Sequence, residues 1–164
     1  MELVYDFGQL YVYDAAGFPD EGNPYLDALD AAVALGLTVG TAAGVVDVLM
    51  PRQENFGAAI DVVATDARPS LDDTADHVVA FDLRSSGLIV LEGSGGSGTS
   101  EVVVAPGRYR ARLSGYDFDA AASWSYGDPG YPADRYRLEL WPSDVSEPPA
   151  ELRRWPGYDA RLSA

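Results

Sequence analysis

Short apolar segments separated by turn-forming residues make up most of this sequence, and their pattern predicts strands. Beyond Gly36, apolar residues either alternate with polar ones or gather in short runs, as they do in half-buried and fully buried strands. Sequences such as Ser85-Ser86-Gly87 and Pro106-Gly107, which are typical of hairpin turns, lie between them. The segments that fit a strand are residues 37–39, 45–49, 58–64, 77–83, 88–91, 101–104, 109–113 and 136–141.

The first 36 residues predict one long strand and one helix. Residues 3–13 are rich in Val, Tyr and Phe and are apolar on both faces of an extended chain, which favours a strand. Asn23-Pro24 has the form of an N-cap followed by a proline in the first helical turn, and Gly36 is placed to end a helix. A helix over about residues 24–35 is therefore predicted. Its apolar stripe consists of residues that recur at helical spacing, Leu26, Leu29 and Val33.

These elements predict a single mainly β domain with the architecture of an antiparallel β-sandwich or jelly roll. We expect seven to nine strands and one short helix, because short strands at regular spacing are typical of two packed antiparallel sheets. With 164 residues, the chain is long enough to bury one core without cross-links. The predicted domain covers residues 1–145, and the Pro-rich segment 146–164 is predicted to be a tail that packs on or near it.

Several residue types needed for common catalytic and metal sites are missing. The sequence has no Cys, which excludes disulfides, thiolate nucleophiles and Cys-ligated metals, and it has no Lys, which excludes a Schiff base. His77 is the only histidine, and no G-x-S-x-G motif accompanies it. Residues 93–98 match G-x-G-x-x-G, but a strand is predicted to follow where nucleotide binding needs a helix. We therefore expect no enzyme activity, no metal site and no cofactor.

The charge of the chain is strongly negative and unevenly distributed. The net charge is −15, of which −13 falls in residues 1–83. Such a field repels nucleic acid and anionic membranes and speeds encounter with a basic partner, although solubility alone is a simpler explanation for it. Since no secretory signal and no apolar run approaching the ~20 residues of a membrane helix are present, we expect a cytoplasmic protein without membrane contact.

A cluster of carboxylates around the predicted helix is the first candidate for a partner-binding surface. Some of this charge suits the helix dipole, which favours carboxylates near a helix N-terminus. Five carboxylates without a basic residue among them are more than capping requires. The candidate residues are Asp14, Asp20, Glu21, Asp27 and Asp30.

Arginines of the second half and one aromatic loop form a second candidate site, for a ligand. Arginines occupy one parity of two predicted strands, so that antiparallel pairing would gather them on one sheet face, where guanidinium groups bind anions. The alternative is that neighbouring carboxylates neutralise them. Aromatic residues of the long loop between these strands offer stacking surfaces for a sugar or a base. The candidate residues are Arg108, Arg110, Arg112, Arg135, Arg137, Trp124, Tyr126 and Tyr131.

The acidic loop 66–76 is a weaker candidate, for a cation. Ca²⁺ is held by several carboxylate oxygens, and the loop contains four Asp residues. It lacks the D-x-D-x-D-G spacing of a dedicated calcium loop, so a solvated acidic turn is the alternative. The carboxylates concerned are Asp66, Asp72, Asp73 and Asp76.

Two parts of the chain share features with one known family of proteins. In residues 2–13, an aromatic residue and Gln9 precede an apolar strand, and residues 103–113 have the form Val-x-x-Pro-Gly-x-Tyr-x-Ala-x-Leu before the strand that includes residues 136–140. These segments resemble the opening strand and the late β-hairpin of the competence-protein-J family, bacterial inhibitors of a secreted-type nuclease. The resemblance implies an acidic β-sandwich that caps a basic protein and has no activity of its own.

Two classes of function fit these features. The first is a non-catalytic acidic interaction protein that caps a basic protein partner, such as a nuclease inhibitor or an immunity-type protein. The second is a β-sandwich ligand-binding module that uses the arginine face and the aromatic loop for an anionic or sugar-like small molecule. Neither class involves binding to nucleic acid.

Overall fold

The computed structural model describes residues 2–5, 8–17, 22–51, 56–94, 98–125, 128–130 and 133–158, and within them eleven strands form two sheets. In chain order the elements are β1 (Glu2–Tyr5), β2 (Gln9–Asp14), α1 (Pro24–Leu35), β3 (Val39–Ala42), β4 (Val45–Leu49), β5 (Phe56–Ala64), β6 (His77–Ser85), β7 (Leu88–Gly93), β8 (Thr99–Val103), β9 (Gly107–Tyr116), α2 (Phe118–Ser123), β10 (Arg135–Pro142) and β11 (Ala150–Arg153).

The two sheets pack face to face around one apolar core. The first has the order β1-β5-β10-β9-β6-β11, and the second has the order β3-β4-β2-β7-β8. Strand pairs are antiparallel except β5 and β10, which run parallel. The predicted β-sandwich with a helix over residues 24–35 is confirmed, and it contains more strands than the expected seven to nine. Fully buried members of the core come from both sheets and include Leu10, Ile60, Phe81, Ile89, Leu91, Leu138 and Leu140.

The predicted long strand over residues 3–13 is wrong, because the chain changes sheets within it. Strand β1 pairs with β5 in the first sheet, whereas β2 pairs with β4 and β7 in the second. Gly8, which directly precedes β2, has a φ of 66°, in the left-handed region that favours glycine. A run that is apolar on both parities is consistent with either one strand or two, so the pattern alone does not show the break.

Helix α1 has the predicted bounds but buries a different face. The Asn23 side chain accepts a hydrogen bond from the Leu26 N–H at 3.3 Å, and Gly36 ends the helix in the left-handed conformation. The buried residues are Pro24, Ala28 and Ala32. The predicted apolar stripe is therefore wrong as a buried face, since Leu26 and Val33 are exposed and Leu29 is only half-buried.

Two elements near the C-terminal end were not among the predicted strands and helices. Helix α2 lies in the long loop predicted between the strands of residues 109–113 and 136–141. Strand β11 pairs with β6 at the edge of the first sheet, within the segment predicted to be a tail. After β11, Trp155 and Tyr158 are buried in the core and pack edge to face at 5.6 Å between ring centroids. No helix in the described part of the chain is long and apolar enough to cross a membrane.

Candidate functional site

The outward face of helix α1 combines exposed apolar side chains with carboxylates. Leu26 and Val33 are 51% and 67% exposed. Leu26 and Val33 lie one above the other with Asp30 between them, because residues three and four apart share a helix face. Asp27 is exposed as well. The helix therefore presents to solvent a patch that is both apolar and negatively charged, and we call Leu26, Asp27, Asp30 and Val33 the α1 outer face.

A close contact between helix and sheet fixes which face of α1 points outward. A Cβ atom added at Gly40 of β3 would lie 2.0 Å from the Ala28 carbonyl oxygen and 2.5 Å from the Ala32 backbone nitrogen. The helix backbone thus rests directly on the strand, with only alanine methyl groups between them. Larger residues do not fit at the buried positions, so Leu26 and Val33 are directed away from the sheet.

Tyrosines and carboxylates also connect the first turn of the helix to the second sheet. The Tyr25 ring packs against Tyr11 of β2 with 4.6 Å between ring centroids. The Tyr25 hydroxyl donates to Glu92 Oε2 at 3.2 Å, and the Tyr13 hydroxyl donates to the same oxygen at 2.5 Å. Burial, the Glu92 carboxylate and Tyr25 raise the pKa of the Tyr13 hydroxyl, so it stays protonated and donates.

Asp47 is a buried carboxyl beneath the helix. It is the register partner of Gly40, so both residues occupy the sheet face that α1 covers. Asp47 Oδ2 accepts from Gln9 Nε2 at 3.1 Å, whereas Oδ1 has no hydrogen-bond partner among the described residues. Burial raises the pKa of Asp47 to about 7, and the Gln9 hydrogen bond opposes this shift. Such a pKa suits a general acid or base, but Asp47 has no solvent-accessible surface through which to meet a substrate.

The five predicted partner-binding carboxylates do not all lie on the helix. Asp27 and Asp30 lie on the α1 outer face. Asp14, at the end of β2, accepts hydrogen bonds from the backbone N–H and hydroxyl of Ser86, the latter at 2.7 Å. Burial raises the pKa of Asp14, but these bonds outweigh burial and leave the pKa lowered. Asp20 and Glu21 lie outside the described residues.

Most of the predicted arginine face is occupied by internal ion pairs. Arg110 is buried and donates to Asp82 Oδ1 at 3.0 Å. Arg112 is buried and donates to Glu139 Oε2 through both Nε and Nη2, at 2.9 and 2.6 Å. Little of the charge of these two arginines is left to attract an anion from solvent.

Two further members of that face have carboxylate partners on the exposed side of the sheet. Arg135 donates to Asp117 Oδ2 at 2.9 Å and lies 4.4 Å above the Tyr116 ring. Arg137 lies 3.6 Å from a Glu139 oxygen. Arg108, the fifth member, is exposed and has no carboxylate partner in the part of the chain that the structure describes.

The structure shows only one of the three predicted stacking aromatics. Trp124 is half-buried at the C-cap of α2, where its backbone N–H bonds to the Ala121 carbonyl at 3.2 Å. Tyr126 and Tyr131 lie outside the described residues. No stacking surface for a sugar or a base can be built from Trp124 alone.

His77 has a structural position. Its Nδ1 accepts from the Trp155 backbone N–H at 3.3 Å, so its Nε2 carries the proton and donates to Thr38 Oγ1 at 2.7 Å. The Thr38 hydroxyl in turn donates to Glu151 Oε2 at 2.9 Å. Burial lowers the pKa of His77 to about 4, although Glu151 opposes this shift. The ring joins the β11 segment to β6 and to the residues before β3, and neither ring nitrogen is available as a base.

The acidic loop 66–76 is held by protein donors. Asp72 accepts from the Thr74 hydroxyl at 2.7 Å and from the Tyr116 hydroxyl at 3.0 Å, and hydrogen bonds from Thr74 and Tyr116 lower its pKa. Arg153 donates to three backbone carbonyls of the loop. Within the described ranges, no three His, Asp or Glu side chains come together in a group that could hold a metal ion.

The structure contains a cleft at one end of the sandwich that the sequence pattern did not predict. It encloses about 700 Å³ and is lined by the β3–β4 turn, the end of β6, the start of β9 and residues 143–149. Arg84 and Arg108 stand opposite each other in the β6–β9 register and both line this cleft. Arg84 and Arg108 are 24 positions apart in the chain. Their proximity could be predicted only if the pairing of β6 with β9 were known.

Comparisons with known proteins identify the fold. No protein-family model matches the chain, and no curated protein matches it by sequence. Among solved structures, the chain is similar to ComJ, inhibitor of the DNA degrading activity of NucA, from Bacillus subtilis, with a TM-score of 0.59, 15% identity, and coverage of 87% of this chain and 94% of ComJ. It is also similar to the structure named Crocagin biosynthetic gene J, with a TM-score of 0.50, 18% identity, and coverage of 87% and 95%. The resemblance to the competence-protein-J family is therefore confirmed at the level of the fold.

Proposed function

We propose that this chain is a non-catalytic, acidic interaction protein that binds and caps a basic protein, in the manner of a nuclease inhibitor or an immunity-type protein. The observation that carries this proposal is the α1 outer face. A protein that exposes two large apolar side chains on one face of a short helix leaves them in water at a cost, which a partner surface would remove.

The charge around the exposed apolar residues indicates what kind of partner fits. Asp27 and Asp30 border Leu26 and Val33, and the helix carries no basic residue. Most of the net charge of −15 belongs to the same half of the chain. A partner with an apolar contact surface rimmed by Lys or Arg would be complementary to this patch and would be attracted to it from a distance. Nucleic acid would be repelled.

The comparisons support this class of function without identifying the target. ComJ, which has the same fold, is described as an inhibitor of the DNA degrading activity of a nuclease. Burial raises the pKa of Asp47 to about 7 and lowers the pKa of His77 to about 4, and both groups are buried in hydrogen-bonded positions. Neither is placed to act on a substrate, which agrees with a non-catalytic role.

The alternative that uses the arginine face and the aromatic loop has less support. Four of its five arginines are ion-paired within the chain. Only Arg108 has no carboxylate partner among the described residues, and it lines the cleft at one end of the sandwich.

Affinity capture with matched surface variants tests the proposed interaction. The wild-type chain, the variant Leu26→Ser/Val33→Ser and the control Val103→Ser/Val145→Ser are used as bait in extracts of the native host. All four side chains are more than half exposed, so none of the substitutions removes a core contact. The partner is identified by mass spectrometry and purified, and its dissociation constant is measured with each variant.

The proposal predicts a basic partner whose affinity falls about tenfold or more in the helix variant, because exposed apolar anchors at the centre of an interface carry much of the binding energy. The control variant should bind as the wild type does. If the partner is a nuclease, adding the wild-type chain should abolish its cleavage of DNA. Equal binding of both double variants, or an acidic partner, would refute the proposal.

A further inference from the structure

Arg84 and Arg108 form a pair of adjacent cations at the mouth of the cleft. They are register partners on neighbouring antiparallel strands, β6 and β9, so their side chains leave the same face of the sheet at the same level. Both residues are exposed. Like charges in directly opposed positions destabilise a sheet, so this arrangement costs free energy in the protein alone.

Neither arginine forms an ion pair with another described residue. In the described residues, no carboxylate lies within ion-pair distance of Arg84 or Arg108. Arg110, by contrast, lies two residues from Arg108 on the same sheet face and forms an ion pair with Asp82 at 3.0 Å. Arg84 and Arg108 thus place two adjacent positive charges, without a carboxylate partner among the described residues, in a chain of net charge −15.

The walls of the cleft are held in place by hydrogen bonds. Arg110 Nη1 donates to the Glu147 carbonyl at 3.0 Å and Nη2 donates to the Pro148 carbonyl at 3.1 Å, which fixes the segment that forms one wall. The Ser143 N–H donates to the Arg108 carbonyl at 3.1 Å at the start of that segment. The opposite side is the β3–β4 turn, where Ala43 and Gly44 both have positive φ angles of 47° and 90°.

Ala43 lines that side of the cleft in a backbone conformation that is unfavourable for alanine. Two successive residues with positive φ make a turn that favours Asn-Gly or Asp-Gly, and alanine is unfavourable there. A residue held in the left-handed region against its preference is typical of functional sites. The methyl group of Ala43 leaves space at the cleft wall that an Asn or Asp side chain would reduce.

We propose that this cleft binds a small molecule through a single oxyanion group, a carboxylate or a phosphate, held by the guanidinium groups of Arg84 and Arg108. Guanidinium groups match the geometry of both kinds of oxyanion. The volume of about 700 Å³ is that of a site for a small organic ligand. Asp14 and Asp82 also line the cleft and are bonded to protein donors, so they add negative potential that disfavours ligands of high negative charge.

Titrations with three defined probes test this site. Phenyl phosphate and benzoate carry the same ring on a phosphate or a carboxylate, and inorganic phosphate lacks the ring. Each is added at constant ionic strength to ¹⁵N-labelled protein, and the arginine Nε–Hε signals are followed by NMR. The variants are Arg84→Gln and Arg108→Gln. The control is Arg68→Gln, because Arg68 is another exposed arginine without a carboxylate partner in the described ranges and does not line the cleft.

The proposal predicts saturable shifts of the Arg84 and Arg108 signals with phenyl phosphate or benzoate, and the stronger of the two identifies the oxyanion. Each cleft variant should weaken binding about tenfold or more, which corresponds to the loss of one charge-assisted hydrogen bond. The Arg68→Gln control should bind as the wild type does. Shifts that do not saturate, or that persist equally in the cleft variants, would overturn the proposal.

The outcome is independent of the proposed protein interaction. The α1 outer face and the cleft share no residues. Loss of oxyanion binding in the cleft variants with retention of the basic protein partner would support both proposals. If no probe binds while the helix variant still loses its partner, only the ligand site is refuted.

Discussion

Asp47 and His77 are buried ionisable side chains whose pKa values move in opposite directions for the same reason. Burial favours the neutral form of any group, which raises the pKa of a carboxyl and lowers that of an imidazole. Asp47 lies beneath helix α1, and His77 lies where β11 joins the sandwich. The contact of α1 with the sheet should therefore become less stable as pH rises. The attachment of β11 should become less stable as pH falls.

Replacing Asp47 with Asn should stabilise the protein at alkaline pH. The pKa of Asp47 is about 7 in the folded chain against an ordinary 3.8, so the folded state binds more protons between these values. The free energy of unfolding contributed by this group is therefore intact near pH 4 and falls as pH rises through 7. We expect Asp47→Asn to exceed the wild type by about 2–4 kcal/mol at pH 8 and to match it near pH 4. Urea denaturation at both pH values measures this, and equal stabilities at pH 8 would contradict it.

His77 should remain neutral well below the ordinary pKa of histidine. The unfolded chain binds a proton at His77 near pH 6.5, whereas the folded chain does so only near pH 4. The contribution of His77 to the free energy of unfolding is therefore fully present above pH 6.5 and is lost as pH falls toward 4. Because the chain has one histidine, its ring signals in a ¹H–¹³C NMR spectrum need no assignment. We expect no titration of these signals between pH 8 and pH 5.5, and a midpoint near 6.5 would show that the ring is accessible.

At the scale of single elements, the sequence alone predicts the bounds of helix α1 but not its buried face. Its bounds follow from local signals, since an N-cap, a proline and a terminal glycine act within the helix itself. Its buried face depends on the strand beneath it. The absence of a side chain at Gly40 admits only Ala28 and Ala32, and nothing in the helical spacing of Leu26, Leu29 and Val33 indicates this.

Replacing Gly40 with Ala should displace helix α1. The new Cβ atom would lie 2.0 Å from the Ala28 carbonyl oxygen, and a backbone atom of a packed helix cannot yield as a flexible side chain does. We expect a loss of about 1–3 kcal/mol in the free energy of unfolding, as for other overpacked sites. Gly107→Ala is a matched control, because its Cβ would meet only Tyr109 Cε2 at an ordinary 3.8 Å. A stability equal to that of the control would mean that α1 does not rest on β3.

Contacts between distant parts of the chain account for the remaining differences from the sequence-based expectations. The break between β1 and β2 depends on two different sheets being present to receive them. Strand β11 is short and rich in charge, and it forms because the free edge of β6 accepts it. The pairing of β6 with β9 places Arg84 opposite Arg108. The parity pattern of the arginines correctly placed Arg110 and Arg112 on one face with Arg137, but it did not indicate which carboxylates would reach them.

At the scale of the whole molecule, the two halves of the chain differ in how their charge is used. The second half carries a net charge of −2, and several of its arginines are ion-paired within the fold. The first half carries −13 and includes the carboxylates of the α1 outer face. Exposed charges act over roughly 8 Å at physiological ionic strength. An approaching partner therefore experiences the local charge around α1 more than the total charge of the molecule.

A charge-neutralised variant tests whether this local charge guides a basic partner. It replaces four carboxylates with the corresponding amides and changes the net charge from −15 to −11. The residues replaced are Asp20, Glu21, Asp27 and Asp30. We expect association with the partner to become slower by much more than dissociation becomes faster, because charges at the rim of an interface act mainly on the encounter. Rate constants measured at low and high salt should converge as salt screens the field.

A second variant with the same change in net charge separates the effect of the carboxylates in residues 20–30 from that of total charge. It replaces exposed carboxylates outside the α1 outer face, namely Asp61, Asp66, Glu101 and Asp144. Both variants should be as stable as the wild type or slightly more stable, since each removes like charges from a strongly negative chain. If the carboxylates in residues 20–30 steer the partner, only the first variant associates slowly. If both associate equally slowly, total charge is responsible. If the first associates at the wild-type rate in low salt, the partner contacts another surface.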